Sequence, residues 1–256
     1  MPNPSISLIH TTSRPIRWFN VSRCWMLRAD NPDTFEHVLT YDPRKFSTDP
    51  TKWFEGVGWI HHFRETDIAA PQVEPGHEAE AGPVVGWNRA AALSSGDILV
   101  LVSDDYFPPR HWDTEIIKAI GDVKREAVLW VRNVAYVPQG FIPLWDHLIC
   151  HPIMTRPYYE RLGYILPPWY FGRGTDNELT EIAMRDNVII DVRKTLAFQH
   201  QDSHPAYEPL EENESNGAVT AHYQEDWDTY TARRARGFPK EWPVLSSATA
   251  PTKEEE

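Results

Sequence analysis

Cysteine is nearly absent from this chain: Cys24 and Cys150 are the only two, far apart and in no metal-ligand spacing. That excludes a disulfide scaffold and a cysteine-based zinc module, and it fits free thiols in a reducing compartment. Glycine-rich phosphate loops are missing as well. Neither the dinucleotide fingerprint nor the P-loop pattern occurs, so a bound nucleotide must be held another way. No apolar run approaches the length of a membrane span. Residues Met1 to Ser7 lack the basic and apolar regions of a secretion signal, and a cytoplasmic location is expected. Basic residues are the minority, 25 against 37 acidic, for a formal charge of -12. This balance disfavours broad, non-specific attachment to nucleic acid or an anionic membrane. It leaves room for a nucleotide-bearing ligand if a metal supplies the positive charge.

What the chain does have is a 41% apolar fraction, with eleven Trp and twenty-two Pro in 256 residues. That suits one sizeable domain with rigid loops and aromatic-lined surfaces rather than a helical bundle. The expected layout is a main domain over 1–210, a helical extension over 211–245 and a disordered tail over 246–256. The most informative segment is Gly96-Asp97-Ile98-Leu99-Val100-Leu101-Val102-Ser103-Asp104-Asp105. Its β-branched apolar run reads as a strand buried on both faces, as in a mostly parallel sheet covered by helices. Asp104 and Asp105 leave at its carboxyl end, where open α/β sheets collect ligands. Two adjacent carboxylates repel unless a cation or a proton neutralises them, and a divalent metal is the obvious candidate. An Asx-type turn into Tyr106-Phe107-Pro108-Pro109 is the plainer alternative.

Around that segment the pattern alternates. Ser5 to His10, Phe35 to Tyr41, Gly56 to Phe63, Val128 to Val137, Val188 to Val192 and Leu196 to His200 read as strands. Leu148 to Pro152 reads as extended. Helices are expected from Ile16 to Ala29, with Trp18, Val21, Trp25 and Leu27 as the apolar stripe, and over Trp87 to Ser95. Further helices are expected over His111 to Lys124, Thr155 to Leu162, Asp176 to Arg185 and Glu225 to Arg236. Glu65 to Pro83 has the acidic, Pro- and Ala-rich composition of a mobile loop. The alternation predicts an α/β/α sandwich with a mostly parallel, mixed central sheet.

In this order the pieces resemble the GT-A fold of nucleotide-sugar glycosyltransferases, the inverting family 2 type, over roughly Ser5 to His200. The resemblance rests on Thr11-Thr12-Ser13-Arg14-Pro15 after the first strand and Asp42 after the second. It continues through Trp87-Asn88-Arg89-Ala90-Ala91-Ala92 with Ser95-Gly96-Asp97 and Ser103-Asp104-Asp105, which looks like the DxD element. Gly172-Arg173-Gly174-Thr175-Asp176-Asn177-Glu178-Leu179 and Leu196-Ala197-Phe198-Gln199-His200 complete it. It implies transfer of a sugar from a nucleoside diphosphate sugar, UDP-sugars favoured, to an acceptor hydroxyl with inversion.

A Mn²⁺ or Mg²⁺ ion would neutralise the leaving diphosphate. Asp105 and His200 are the expected metal ligands, a mixed O/N set that fits Mn²⁺ somewhat better than Mg²⁺. Asp104 would hold the ion through water or hold the donor ribose. Thr11, Arg14, Asp42, Asn88 and Arg89 are the further donor contacts; each Arg is otherwise an ordinary surface residue, and Asn88 a loop holder or cap. Asp176 is the expected general base, or else merely the cap of the next helix. Trp169, just before it, would line the acceptor pocket, with a core role as its alternative. The chain departs from the family at Tyr41-Asp42-Pro43-Arg44 and at Thr175-Asp176, and lacks the Gln-rich signature of processive synthases. A polysaccharide synthase is therefore disfavoured.

His61-His62 and the pair His147 and His151 read as structural, and His204 as a weaker alternative ligand. The Arg233-Arg234-Ala235-Arg236 cluster reads as a solvated helix face. Compact glycosyltransferases of this kind also occur in bacteriophages, where some modify DNA bases; the acidic charge makes a DNA acceptor the minority option. Two other classes stay open: a non-catalytic carbohydrate-binding GT-A-like domain, and a sugar-phosphate nucleotidyltransferase. The latter normally shows a Gly-rich basic loop that Thr11 to Pro15 lacks.

Overall fold

The computed structural model describes residues 4–41, 68–71, 82–137, 140–201 and 221–241. Asp42, the expected strand at Gly56 to Phe63, His61-His62, His204 and the tail over 246–256 lie outside them. In chain order the elements begin with β1 (Ile6–Thr12), α1 (Pro15–Arg28), β2 (Phe35–Tyr41), β3 (Ile68–Pro71), α2 (Pro83–Leu93) and β4 (Ile98–Val102). There follow β5 (Tyr106–Phe107), α3 (Trp112–Ile120), β6 (Val128–Trp130), β7 (Arg132–Val137), β8 (Gly140–Leu144) and β9 (Ile153–Thr155). The last are α4 (Arg156–Leu162), α5 (Thr175–Asp186), β10 (Ile189–Asp191), β11 (Ala197–His200) and α6 (Tyr223–Ala235).

Seven strands form the central sheet in the order β10-β6-β9-β4-β1-β2-β3. All neighbours run parallel except β9, which lies antiparallel between β4 and β6. Side chains alternate across each strand, so β4 splits its apolar run between two cores. Leu99 and Leu101 join Val84, Ala90 and Ala91 of α2, Tyr158 of α4 and Leu179 and Ala183 of α5 on one face. Ile98, Val100 and Val102 join Val21 and Trp25 of α1 and Trp112, Ile116 and Ile120 of α3 on the other. The expected α/β/α sandwich is what the chain forms. Gly96 lets this happen at the start of β4: a Cβ there would sit 2.7 Å from the Ser7 backbone nitrogen of β1.

Several local expectations change. Leu27 is 66% exposed, while Trp18, Val21 and Trp25 are fully buried. At 100° per residue Leu27 lies most of a half-turn around from Trp25, outside the stripe. β3 falls inside the segment read as a loop, where it adds an edge strand to β2. Leu148 to Pro152 forms no strand; the pairing starts one residue later, at Ile153. The apolar run Val128 to Val137 is two strands rather than one. Its break at Val131 hands the chain from the central sheet to a second sheet of order β5-β11-β7-β8. Periodicity cannot register such a switch, because both halves are buried. Its consequence is functional: β11 pairs with β5 in a register that sets His200 opposite Tyr106.

Candidate active site

β1 and β4 end side by side, and their last residues build a polar cluster at the carboxyl edge of the central sheet. Asp104, 5% exposed, is the hub. Its Oδ2 accepts from the Thr12 hydroxyl at 2.8 Å and from Arg14 Nε at 3.0 Å. Its Oδ1 lies 2.9 Å from His10 Nε2, and His10 Nδ1 lies 3.0 Å from His37 Nε2. His10 therefore bridges the two, one ring nitrogen on the Asp104 carboxylate and the other on the His37 ring. Burial, with His10 beside it, holds the His37 imidazole well below its usual pKa, so that ring is neutral.

Asp105 points elsewhere. It accepts from the Ser103 hydroxyl, and its Oδ1 lies 3.5 Å from His200 Nε2. Arg14 Nη2 approaches its other oxygen at 3.9 Å. Burial works against ionisation of this carboxyl, but His200, the Ser103 hydroxyl, Arg14 and His151 outweigh it and hold it at about 2. His151 completes the group. Its Nε2 is 3.1 Å from Ser103 Oγ, and its ring stacks on Tyr106 with centroids 3.7 Å apart. Burial and the neighbouring His200 depress its pKa to about 3 against the pull of Asp105, so it stands as a neutral, ligand-competent imidazole. Asp105, His151 and His200 each offer a ligand atom, all within 4.8 Å of one another.

This donor set fits a divalent first-row metal: one hard carboxylate and two imidazoles, with a hydroxyl beside them. An orphaned group agrees with that fit, since His151 Nδ1 is buried with no hydrogen-bond partner among the described residues. His151 was read from sequence as structural. It joins the cluster because the chain before β9 runs under β5, a placement set by the antiparallel β4–β9 pairing and invisible in spacing. Asp104 is not part of this trio; its Oδ2 accepts from Thr12 and Arg14 and its Oδ1 meets His10, which leaves one lone pair on Oδ1. His10 and His37 went unnoticed in sequence because each sits alone on a buried strand.

Asp176 occupies the first turn of α5, following Gly174 at φ +80, where a Cβ would meet the Tyr170 ring at 3.2 Å. Its Oδ1 accepts from the Asn177 backbone N–H at 3.0 Å, and the Cys150 thiol also donates to its carboxylate. Burial raises its pKa despite these donors and nearby Arg173. The Cys150 thiol is pushed up by burial and by Asp176, so it stays protonated. Cys150 precedes His151 directly in the chain, which ties the Asp176 carboxylate to the edge of the ligand trio.

The remaining expected contacts separate. Thr11 is buried at the end of β1, its hydroxyl without a partner among the described residues. Arg89 is half-buried on α2. Asn88 holds a loop: Nδ2 donates to the Leu166 carbonyl at 2.8 Å, and Oδ1 accepts from Ile165 and Leu166 N–H. Trp169 is 7% exposed, packed against Tyr164 with the Arg233 guanidinium 3.5 Å over its ring. That covered face corrects the expectation of an acceptor-lining Trp169. Arg233 likewise is no solvated residue. It is fully buried, donating to Glu178 through Nε at 2.8 Å and Nη2 at 2.7 Å, whereas Arg234 and Arg236 are exposed.

No protein-family model matches the chain, and a search of curated proteins finds no relative. Solved structures do resemble it. The S. aureus TarS 1-349 crystal structure in complex with UDP-GlcNAc superposes with a TM-score of 0.57 at 16% identity, covering 79% of this chain and 60% of TarS 1-349. A second crystal structure of S. aureus TarS 1-349 gives 0.56 at 17% identity, over 77% and 60% of the two chains. A mannosyltransferase, PcManGT from Pyrobaculum calidifontis in complex with GDP-Man and Mn²⁺, gives 0.56 at 16% identity, over 92% and 65%. The chain thus spans about 60% of the length of TarS 1-349. The fold is that of the GT-A nucleotide-sugar glycosyltransferases. No helix among the described residues is long and apolar enough to cross a membrane.

Proposed function

We propose that this protein is a metal-dependent glycosyltransferase that moves a sugar from a nucleoside diphosphate sugar to an acceptor hydroxyl, with inversion. The observation that carries the reading is the Asp105–His151–His200 trio at the carboxyl edge of a GT-A-type sheet. These three side chains would hold a Mn²⁺ or Mg²⁺ ion, which supplies Lewis-acid neutralisation of the diphosphate oxygens. Arg14, already anchored on Asp104, presents a guanidinium fork at the same edge, where a diphosphate would lie. Thr11 offers its unpartnered hydroxyl to the donor, and Asp104, fixed by Thr12 and His10, offers a carboxylate to the ribose. Arg89 adds charge from α2. Asn88 shapes the site through the loop at Ile165 and Leu166.

Asp176 would take the acceptor proton. Burial raises its pKa, which makes it a stronger base than a solvated carboxylate. The Asn177 N–H and the Cys150 thiol keep one carboxylate orientation, which positions the free lone pairs. The donors bound by TarS and PcManGT, UDP-GlcNAc and GDP-Man, are the first to try, UDP-sugars being favoured.

Thermal melting with UDP and GDP, each with and without Mn²⁺, tests this. The native state alone binds such a ligand, so saturation by a hundredfold excess over Kd adds about 2.7 kcal/mol of stability. A metal-dependent rise in Tm with one nucleotide is expected. No rise with either nucleotide, and no hydrolysis of any UDP- or GDP-sugar with Mn²⁺, would remove the proposal.

A further inference from the structure

An aromatic column climbs from the core to the ligand trio and ends at the surface on Trp145. Trp25 stacks on Phe198 at 5.7 Å between centroids, and Phe198 on Tyr106 at 5.1 Å. Tyr106 carries His151, His151 lies 5.3 Å from His200, and His200 meets Trp145 at 5.4 Å with ring planes 78° apart. The core members are fully buried, but Trp145 is 41% exposed. The indole is thus seated on an imidazole of the trio and keeps part of its surface open beside it.

Its backbone is unusual too. Trp145 has φ +47, the left-handed region that a bulky side chain enters at a cost of about 1–3 kcal/mol. Neighbours enforce that turn. The Leu148 N–H donates to the Trp145 carbonyl at 2.9 Å, and Arg193 Nη1 donates to the Asp146 carbonyl. Arg193 is itself clamped over the Trp130 ring at 4.0 Å. Gly or Asn would close such a turn without strain, so what the conformation secures is the direction of the indole.

We propose that Trp145 is a stacking platform for a pyranose ring bound beside the ion, an inference that rests on the glycosyltransferase reading. An indole face matches the C–H face of a pyranose. A nucleobase fits this position poorly: with its diphosphate on the ion, the base lies a whole ribose farther off. Trp145, by contrast, touches the ring of an ion ligand. The pyranose is either the sugar being transferred or a sugar of the acceptor.

The test compares the full chain with Trp145→Ala and Trp145→Phe, all three first shown to share one cooperative melt. One arm measures affinity for UDP against UDP-GlcNAc, and GDP against GDP-Man, with Mn²⁺. The other records saturation-transfer NMR on the methyl glycosides of glucose, N-acetylglucosamine, galactose and mannose, with Mn²⁺ and the nucleoside diphosphate present. Trp145→Ala should weaken one class of pyranose probe about tenfold and Trp145→Phe less. Loss confined to the sugar nucleotides assigns the platform to the donor; loss confined to methyl glycosides assigns it to the acceptor. Unchanged binding of every probe overturns the proposal, as does equal weakening of UDP or GDP alone, which would mark a nucleobase platform. If the wild type binds neither nucleotide, the glycosyltransferase reading fails; Trp145-dependent glycoside signals recorded with Mn²⁺ alone would then still support a sugar platform, and their absence would sink it.

Discussion

Two buried ionic clusters in this protein have opposite characters. In one, Glu178 of α5 takes Arg233 of α6 on both carboxylate oxygens and adds the Tyr170 hydroxyl at 2.6 Å, with Trp169 covering the guanidinium. In the other, at the ends of β1 and β4, Asp104 is paired with His10, Thr12 and Arg14, but polar groups around Asp105 are left open. His151 Nδ1, the Tyr106 hydroxyl and the Thr11 hydroxyl are buried with no partner among the described residues, and the nearest contact of Asp105 with His200 is 3.5 Å. A cluster built to hold elements together pairs its charges with each other, as Glu178 and Arg233 do through two hydrogen bonds, while one built to receive a ligand keeps donor atoms for it. Asp226 shows the first kind again, its carboxylate accepting the N–H groups of Phe171, Gly172 and Arg173 and so fixing the loop that delivers Asp176.

The contrast is broken most severely at Asp105. Asp105→Ala should cut Mn²⁺-dependent turnover by about 10²–10³-fold or more, because the ion loses its one anionic ligand. Its melting temperature should hold or rise. A large drop in stability instead would class Asp105 with Glu178, as a structural charge. Asp176→Asn comes next, with a fall in kcat on the order of 10²–10⁴-fold and no change in Mn²⁺ or nucleoside diphosphate affinity. Normal turnover would make it the helix cap that its place in the first turn also permits.

At the other cluster the prediction inverts. Arg233→Met should leave ion binding intact and cost about 3–5 kcal/mol in urea unfolding, since it strands the Glu178 carboxylate in the core. Arg233→Met with Glu178→Leu should recover most of that loss. If the single variant proves neutral, the pair is not the tie between α5 and α6 that the geometry describes.

How much of this could be read from sequence follows the same division. The sandwich and the β4 strand were legible, because buried-strand runs leave local signatures; that Asp105 and His200 would lie together came only from the family resemblance. Arg233 was not legible: a run of arginines on a helix looks solvated unless the partner, Glu178, is known to lie under it. Nor was His151: its i, i+4 spacing from His147 invites a metal reading, but the missing Glu and the adjacent Pro make the pair read as structural, and its site is assembled by the antiparallel β9 and the switch of sheets at Val131. Trp169 could be lining or core from sequence, because the residue that covers it, Arg233 of α6, lies far along the chain.

His151 sharpens the comparison on a smaller scale. A second imidazole biases the set towards transition ions over Mg²⁺, which prefers oxygen. His151→Ala should therefore lower Mn²⁺ affinity about tenfold, in the range expected for losing one contact of a metal site. Mg²⁺ affinity should change less, narrowing the preference. Titration calorimetry of the nucleotide-free protein measures both, with exposed His147→Ala as control. Equal losses for both ions, or none, would return His151 to a structural role.

The smallest effect concerns Asp176 and pH. Burial raises its pKa above the usual 3.8, so the folded state keeps the proton to a higher pH than the unfolded chain does. The native state then binds more protons between those two values, and stability falls as pH rises through that window. Above it the full cost of a buried carboxylate remains. Asp176→Asn removes that cost while keeping the acceptor for the Asn177 N–H. The inactive variant should thus melt slightly higher than the wild type at pH 7, and the two melts should converge towards pH 4. The same raised pKa should place the acid limb of the kcat/KM profile above the normal aspartate range. A variant less stable at pH 7 would mean that the negative charge helps α5 more than burial opposes it, and that Asp176 belongs with the structural cluster after all.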